Sequence, residues 1–263
     1  MKKKTYLQQS LRNGKLMRWT DSCMPLKIYI APLRFYSKLG EDYKYRDMVL
    51  RALGVWSKVS YGKVSFVVVN SLLESQINLD WKRVERQALG QCFFNFDNQS
   101  RLYSAEVQIG ISDGIIHKDY QSEDEVYHTI VHEIGHTLGL GHSPFESDIM
   151  YTPHRYGITN LSEGDRLTIK WLYRLKAGAT PSEVASQNAI VGGSSNIDDI
   201  VTKLIEMNAP SEFEKVKGNL AQGQDQKDLL QEQVNLADLK KYNLALQNVK
   251  ISDDLRKFFV NPQ

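Results

Sequence analysis

The run His132-Glu133-Ile134-Gly135-His136-Thr137-Leu138-Gly139-Leu140-Gly141-His142 restricts what this chain can fold into more than any other stretch. On an α-helix His132 and His136 stand one turn apart, about 6 Å along the axis, so both imidazoles reach a single ion and Glu133 flanks it. His142 cannot join them on the same helix, because six further residues carry it roughly 9 Å onward and about 240° around the axis. The chain must turn back between Leu138 and Leu140. Gly139 stands at that reversal, and glycine accepts the left-handed conformation that ends many helices. With 6 His and 17 Gly in 263 residues, Gly139 and His142 at these offsets are a coincidence of roughly one in several hundred. Three neutral imidazoles leave one corner of a tetrahedral zinc ion open for water, which is the arrangement of a catalytic rather than a structural site. His132, His136 and His142 are therefore the candidate metal ligands, with Glu133 as the candidate general base and acid.

The helix that carries them has a legible start. Ser122 followed by Glu125 forms a capping-box pattern, and the acids at 123 to 125 complement the positive end of the helix dipole. Val126, Tyr127, Ile130, Val131, Ile134 and Leu138 cluster within about 140° on one side, with His132, Glu133 and His136 on the other. The helix is thus expected to bury its stripe on a sheet and offer its ligands to a cleft. His128 lies roughly 12 Å along the axis from His136, too far to share the ion, and reads as a surface or supporting histidine.

Elsewhere the chain alternates strand and helix signals. Leu26, Ile28 and Ile30 repeat with period two; Val49, Ala52, Leu53 and Trp56 recur at helical spacing. Val64 to Val69, Gln76 to Trp81, Cys92 to Phe96 and Leu102 to Ser112 give four more strands, the last two flanking a hairpin turn at Asp97-Asn98-Gln99-Ser100. Ser162 and Asp165 form a second capping pattern before a helix ending near Leu172-Tyr173.

The pattern H-E-x-x-H-x-x-G-x-x-H, followed by Ser147-Asp148-Ile149-Met150-Tyr151 with its methionine-containing turn, resembles the metzincin zinc proteases. Ser143 directly after the third His, and Met150 eight residues beyond His142, are similar to the matrixin branch, the family of the matrix metalloproteases. The resemblance covers about residues 19 to 175. It implies an α+β catalytic domain with a twisted, mostly parallel five-stranded sheet, an edge strand lining the substrate cleft, and one catalytic Zn2+. It also implies a zinc-dependent endopeptidase acting on protein or peptide substrates, with Met150 as a hydrophobic floor and Gly139 shaping the ligand set. A non-catalytic zinc-bearing binding module and a zinc hydrolase of non-peptide amides share these residues and stay open as alternatives.

Some features depart from the family. Animal matrixins usually hold a structural zinc and calcium ions in loops before the active-site helix, yet residues 82–116 contain no His and only Asp97 and Asp113 among aspartates. Those extra sites are expected to be missing. Thr152 stands two places after Met150, where other metzincins carry a tyrosine ligand. The proline that follows Met-Tyr in the family is displaced to Pro153, and neither His154 nor Tyr156 is assigned a role. Cys23, two residues before Pro25, only superficially resembles the inhibitory propeptide cysteine of matrixin precursors. Two cysteines fix no disulfide framework.

Composition sets the remaining bounds. Residues 1–18 carry Lys2, Lys3, Lys4, Arg12, Lys15 and Arg18 without an acid and read as a solvated basic tail. Residues 176–196, rich in Ala, Gly and Ser, read as a linker, and 197–263 as a helical C-terminal region that is a structural appendage, a module binding a partner, or a cover for the cleft. The 33 basic and 31 acidic residues nearly balance, which argues against a nucleic-acid partner. No apolar run approaches the 18 or so residues of a membrane span. No apolar stretch follows the opening lysines, so a secretory signal is not expected at the start of this sequence, although the family is often secreted.

Overall fold

The β-branched and aromatic runs of the sequence assemble into one sheet. A computed structural model describes residues 5–33, 41–83, 89–111, 121–155, 157–190 and 195–207, all within the unit Met1–Met207. A short hairpin, β1 (Leu11–Arg12) and β2 (Lys15–Leu16), precedes the strands β3 (Leu26–Ile30), β4 (Phe66–Val69), β5 (Ile77–Arg83), β6 (Gly90–Phe96) and β7 (Leu102–Ile111). The five-stranded sheet has the order β4-β3-β5-β7-β6. β3 runs parallel to β4 and β5, and β5 parallel to β7, while β6 is the antiparallel edge. Asp97 organises the turn between β6 and β7, its carboxylate accepting the amides of Gln99 and Arg101 at 2.8 and 2.9 Å.

Register puts Ile28, Ile77, Ala105 and Phe94 in one row on the same face. That face packs against α1 (Glu41–Val59) through Val49, Ala52, Leu53 and Trp56, and against α2 (Glu123–Thr137) through Val126, Ile130 and Ile134. Each fully buried Val or Ile of this set contributes about 1.5–3 kcal/mol. Trp56 also donates its indole N–H to the Val131 carbonyl at 3.0 Å, which fixes α1 against α2. Two further helices follow, α3 (Glu163–Leu172) and α4 (Pro181–Gln187), and residues 197–207 are helical. The result is an α+β fold with a mixed, mostly parallel sheet. Among the described residues no helix is long and apolar enough to cross a membrane.

Two expectations change. From Thr5 onward the N-terminal segment is part of the core rather than a solvated tail: Tyr6, Leu7, Leu16 and Met17 are buried. Apolar residues interleaved with the bases explain this, and buried Arg18 finds Asp21 at 2.7 Å and the Tyr173 ring at 5.1 Å. Residues 176–190 do not behave as a linker. Gly178 and Ala179 exchange backbone bonds with Leu16, and Thr180 with Glu183 caps α4, which buries Val184 and Ala185. Beyond them Ile197, Ile200, Val201 and Leu204 are buried in the same core. Asp198 accepts the Thr5 hydroxyl and Leu7 amide at 2.6 Å and the Gln8 amide at 3.2 Å, tying 197–207 to the N-terminal segment. Residues 208–263, the rest of the expected C-terminal helical region, lie outside the described residues.

Candidate metal centre

α2 begins as its sequence predicts. The Ser122 hydroxyl accepts the Glu125 amide at 3.3 Å, and the Glu125 carboxylate accepts the Ser122 amide at 2.6 Å. At the other end Gly139, at φ +97°, closes a Schellman turn: its amide donates to His136 at 3.0 Å and that of Leu140 to Gly135 at 3.2 Å. The carbonyls of Thr137 and Leu138, which the helix leaves without partners, accept the Trp19 indole at 2.7 Å and the Tyr173 hydroxyl at 3.1 Å. A side chain at 139 has no room, since a Cβ there would lie 2.1 Å from the Met17 carbonyl oxygen.

This turn brings His142 back to the helix. The Nε2 atom of His136 lies 3.1 Å from that of His132 and 3.2 Å from that of His142. The Nδ1 atoms of His132 and His136 face the carbonyls of Ile149 and Leu140 at 2.7 and 2.8 Å. A carbonyl only accepts, so these Nδ1 atoms carry the protons and Nε2 presents a lone pair. Convergent lone pairs repel one another unless a cation sits between them. Ligands about 2.05 Å from a tetrahedral zinc ion stand about 3.3 Å apart, close to the separations found. Burial holds all three histidines below their ordinary pKa, reinforced at His132 and His136 by neighbouring imidazoles and at His136 and His142 by the Arg12 charge; His136 lies at about 4, so they are neutral and able to ligate at pH 7. Among the described residues this is the one cluster of three or more His, Cys, Asp or Glu side chains fit to hold a metal. Of residues 82–116, where the family's structural zinc and calcium sites are expected to be missing, 84–88 and 112–116 lie outside the described residues.

The segment after His142 is held by groups the sequence did not reveal as part of the site. The Ile149 amide, on the residue whose carbonyl fixes His132, donates to the buried Asp165 carboxylate at 2.9 Å. Asp165 also accepts the Tyr6 hydroxyl at 2.7 Å and the Ser162 amide at 2.9 Å. Asp148 accepts the hydroxyls of Ser143 at 2.5 Å and Ser162 at 2.6 Å. Met150 is fully buried beneath α2 at Gly135, where a Cβ would meet its Sδ at 2.4 Å and Trp56 at 3.0 Å. A glycine inside a helix, costing about 1 kcal/mol relative to alanine, was the signal for that contact.

Glu133 is 6% exposed and packs against Gly90 of β6. A Cβ at Gly90 would lie 2.6 Å from Thr129 and 2.8 Å from Glu133, so this glycine lets the edge strand approach the helix. Burial pushes the Glu133 carboxyl up to about 8, against a downward pull from Lys82. His128 is not a surface residue: it is 3% exposed, its Nδ1 faces the Ile158 carbonyl at 2.6 Å, and its ring meets that of His154 edge-on at 4.0 Å. Burial lowers its pKa to about 4. Between the ordinary value near 6.5 and 4 the unfolded chain binds a proton at this position that the folded chain does not, so acidification costs stability there. In urea titrations of the metal-free protein, His128→Gln is therefore expected to gain on the wild type as pH falls through that window, by up to about 1.4 kcal/mol per pH unit. A difference independent of pH would show that His128 titrates normally.

An α+β scaffold whose central helix and following turn gather three imidazoles around one point, with a buried carboxylate beside them, has the arrangement of the metal-dependent hydrolase class. A sequence model described as Matrixin matches residues 32–174, more than half of the 263 residues, and the chain belongs to the matrixin family. Zinc metalloendopeptidase is the activity which that membership implies. No curated protein matches the chain significantly.

Proposed function

We propose that this chain cleaves peptide bonds, with one zinc ion held by His132, His136 and His142 and with Glu133 as the proton-carrying residue. The convergence of the three Nε2 atoms carries this reading, because no role for opposed lone pairs is evident without a cation. When bound, zinc supplies a Lewis acid that activates water and polarises the scissile carbonyl. Glu133 takes a proton from the attacking water and returns it to the leaving amine, a task suited to a carboxyl whose pKa burial raises toward neutrality. Gly139 holds the turn that delivers His142, and Met150 packs below the ligands without contributing one. Among the described residues the outer edge of β6 has no strand partner in the sheet. An extended substrate adds there as a further strand and is thereby oriented beside Glu133.

The test is direct. Purified protein supplied with zinc should take up one equivalent by elemental analysis and hydrolyse members of a mixed peptide pool, lose turnover with a chelator, and regain it when zinc is returned. Failure to retain zinc would remove the basis of the proposal. Zinc uptake without cleavage of peptides would refute the peptidase assignment while leaving the metal site in place.

A further inference from the structure

The β1–β2 hairpin carries a cation to one end of the metal site. Asn13 and Gly14, at φ 51° and 73°, close its tight turn. The hairpin is anchored on both sides: the Ser100 hydroxyl donates to the Arg12 carbonyl at 2.8 Å, and the Gly141 amide to the Ser10 hydroxyl at 3.3 Å. Gly141, directly before His142, approaches so closely that a Cβ there would lie 2.2 Å from the Gln9 carbonyl oxygen. The Arg12 guanidinium donates to that same carbonyl through Nη1 at 3.3 Å, and to the Leu11 carbonyl at 3.0 Å. Its carbon lies 5.9 Å from the centre of the Phe94 ring on β6. Arg12 thus spans the gap between the His142 loop and the edge strand, close enough for its charge to act on His136 and His142.

The guanidinium is not satisfied there. Both hydrogen bonds leave from Nη1, and among the described residues no carboxylate stands within ion-pair distance. The Nε and Nη2 edge, whose two parallel N–H groups match a carboxylate, makes no hydrogen bond to described residues. Lys15, the other base of the hairpin, is already engaged with the Asn98 carbonyl and the Gln99 side chain. On the helix-facing side of β6, Gly90, Cys92 and Phe94 follow one another about 7 Å apart. Glu133 sits at the Gly90 end and Arg12 at Phe94.

We propose that Arg12 determines specificity by receiving a carboxylate of the substrate, in a subsite between the His142 loop and Phe94. This inference rests on the peptidase reading above and names a substrate class for it. A peptide lying along β6 with its scissile bond beside Glu133 brings a residue about two to four positions away opposite Arg12. The carboxylate is either an acidic side chain or the free C-terminus of a short substrate.

The experiment uses the full chain loaded with zinc and peptide sets in which each position flanking the cleaved bond is Glu, Gln or Lys, with free or amidated C-termini. At one flanking position Glu should exceed Gln in kcat/KM by about tenfold or more, the size expected of a charge-assisted bidentate pair. Preference for the free acid over the amide, at a matching distance from the bond, would assign the site to the chain end and equally support a carboxylate subsite. Arg12→Gln should reduce the preference below about threefold, and Arg12→Glu should turn it toward Lys, a reversal that general loss of folding cannot produce. Absence of any acidic preference, or a preference unchanged in Arg12→Gln, overturns the inference. Binding of the same peptides to zinc-loaded Glu133→Gln, read by fluorescence anisotropy, separates the two proposals. A carboxylate preference in binding that Arg12→Gln erases upholds the subsite even if the wild type cleaves nothing, and its absence in binding overturns it.

Discussion

Glu133→Gln protein is expected to bind one zinc ion, to melt within a few degrees of the wild type, and to hydrolyse peptides about two to four orders of magnitude more slowly. The amide has the shape of the acid and fits the same space against Gly90 and Thr129. In the metal-free protein burial already favours the uncharged carboxyl, so an uncharged amide introduces no new buried charge and spares the fold. It cannot accept a proton from water or give one to an amine, so the chemistry stops. Initial rates on a cleaved peptide, with metal content measured on the same preparation, decide the matter. Residual activity above about one tenth would mean that another group moves the proton. Loss of zinc would make Glu133 a structural support of the site instead.

Gly139→Ala should produce the larger loss of stability. The residue sits at φ +97°, and the new methyl would meet the Met17 carbonyl oxygen at 2.1 Å, a backbone atom with no rotamer to yield. The left-handed conformation costs an alanine roughly 1–2 kcal/mol and the clash about 1–3 more, together a large share of a typical domain's 5–15 kcal/mol. At about 2–4 °C per kcal/mol the melting temperature should fall by about 4–20 °C. Zinc affinity should fall with it, because the Leu140 carbonyl orients His136 and His142 follows three residues after the turn. Gly157→Ala is the comparison: its φ is +79° and nothing lies within 4 Å of the built Cβ, so only the conformational cost applies. Equal melting shifts in the two variants would show that the approach to Met17 is not what holds the turn.

What could be read in advance differs from what could not by the distance over which it is determined. The capping of α2 by Ser122 and Glu125, its buried stripe, the strand repeats from Leu26 to Ile111 and the need for Gly139 are statements about residues a few positions apart. Backbone geometry imposes them wherever the chain goes. The spacing within 132–142 likewise foretold that three imidazoles would meet. The solvated tail and the linker were misjudged because composition reports average polarity. Burial is decided residue by residue, by a partner such as Leu16 for Gly178 or Asp198 for Leu7.

Short-range sequence rules were enough to set the geometry of a helix and turn that gather three histidines, and through that motif the matrixin family. What holds that turn in place came only with long-range packing: Tyr6 reaching Asp165 across 159 positions, Trp19 and Tyr173 completing the end of α2, and Gly90 admitting Glu133 beside the edge strand. The reason is physical. A periodicity or a cap is a property of consecutive dihedrals, whereas a buried carboxylate or a glycine contact acquires its meaning from atoms that folding brings from the far ends of the chain.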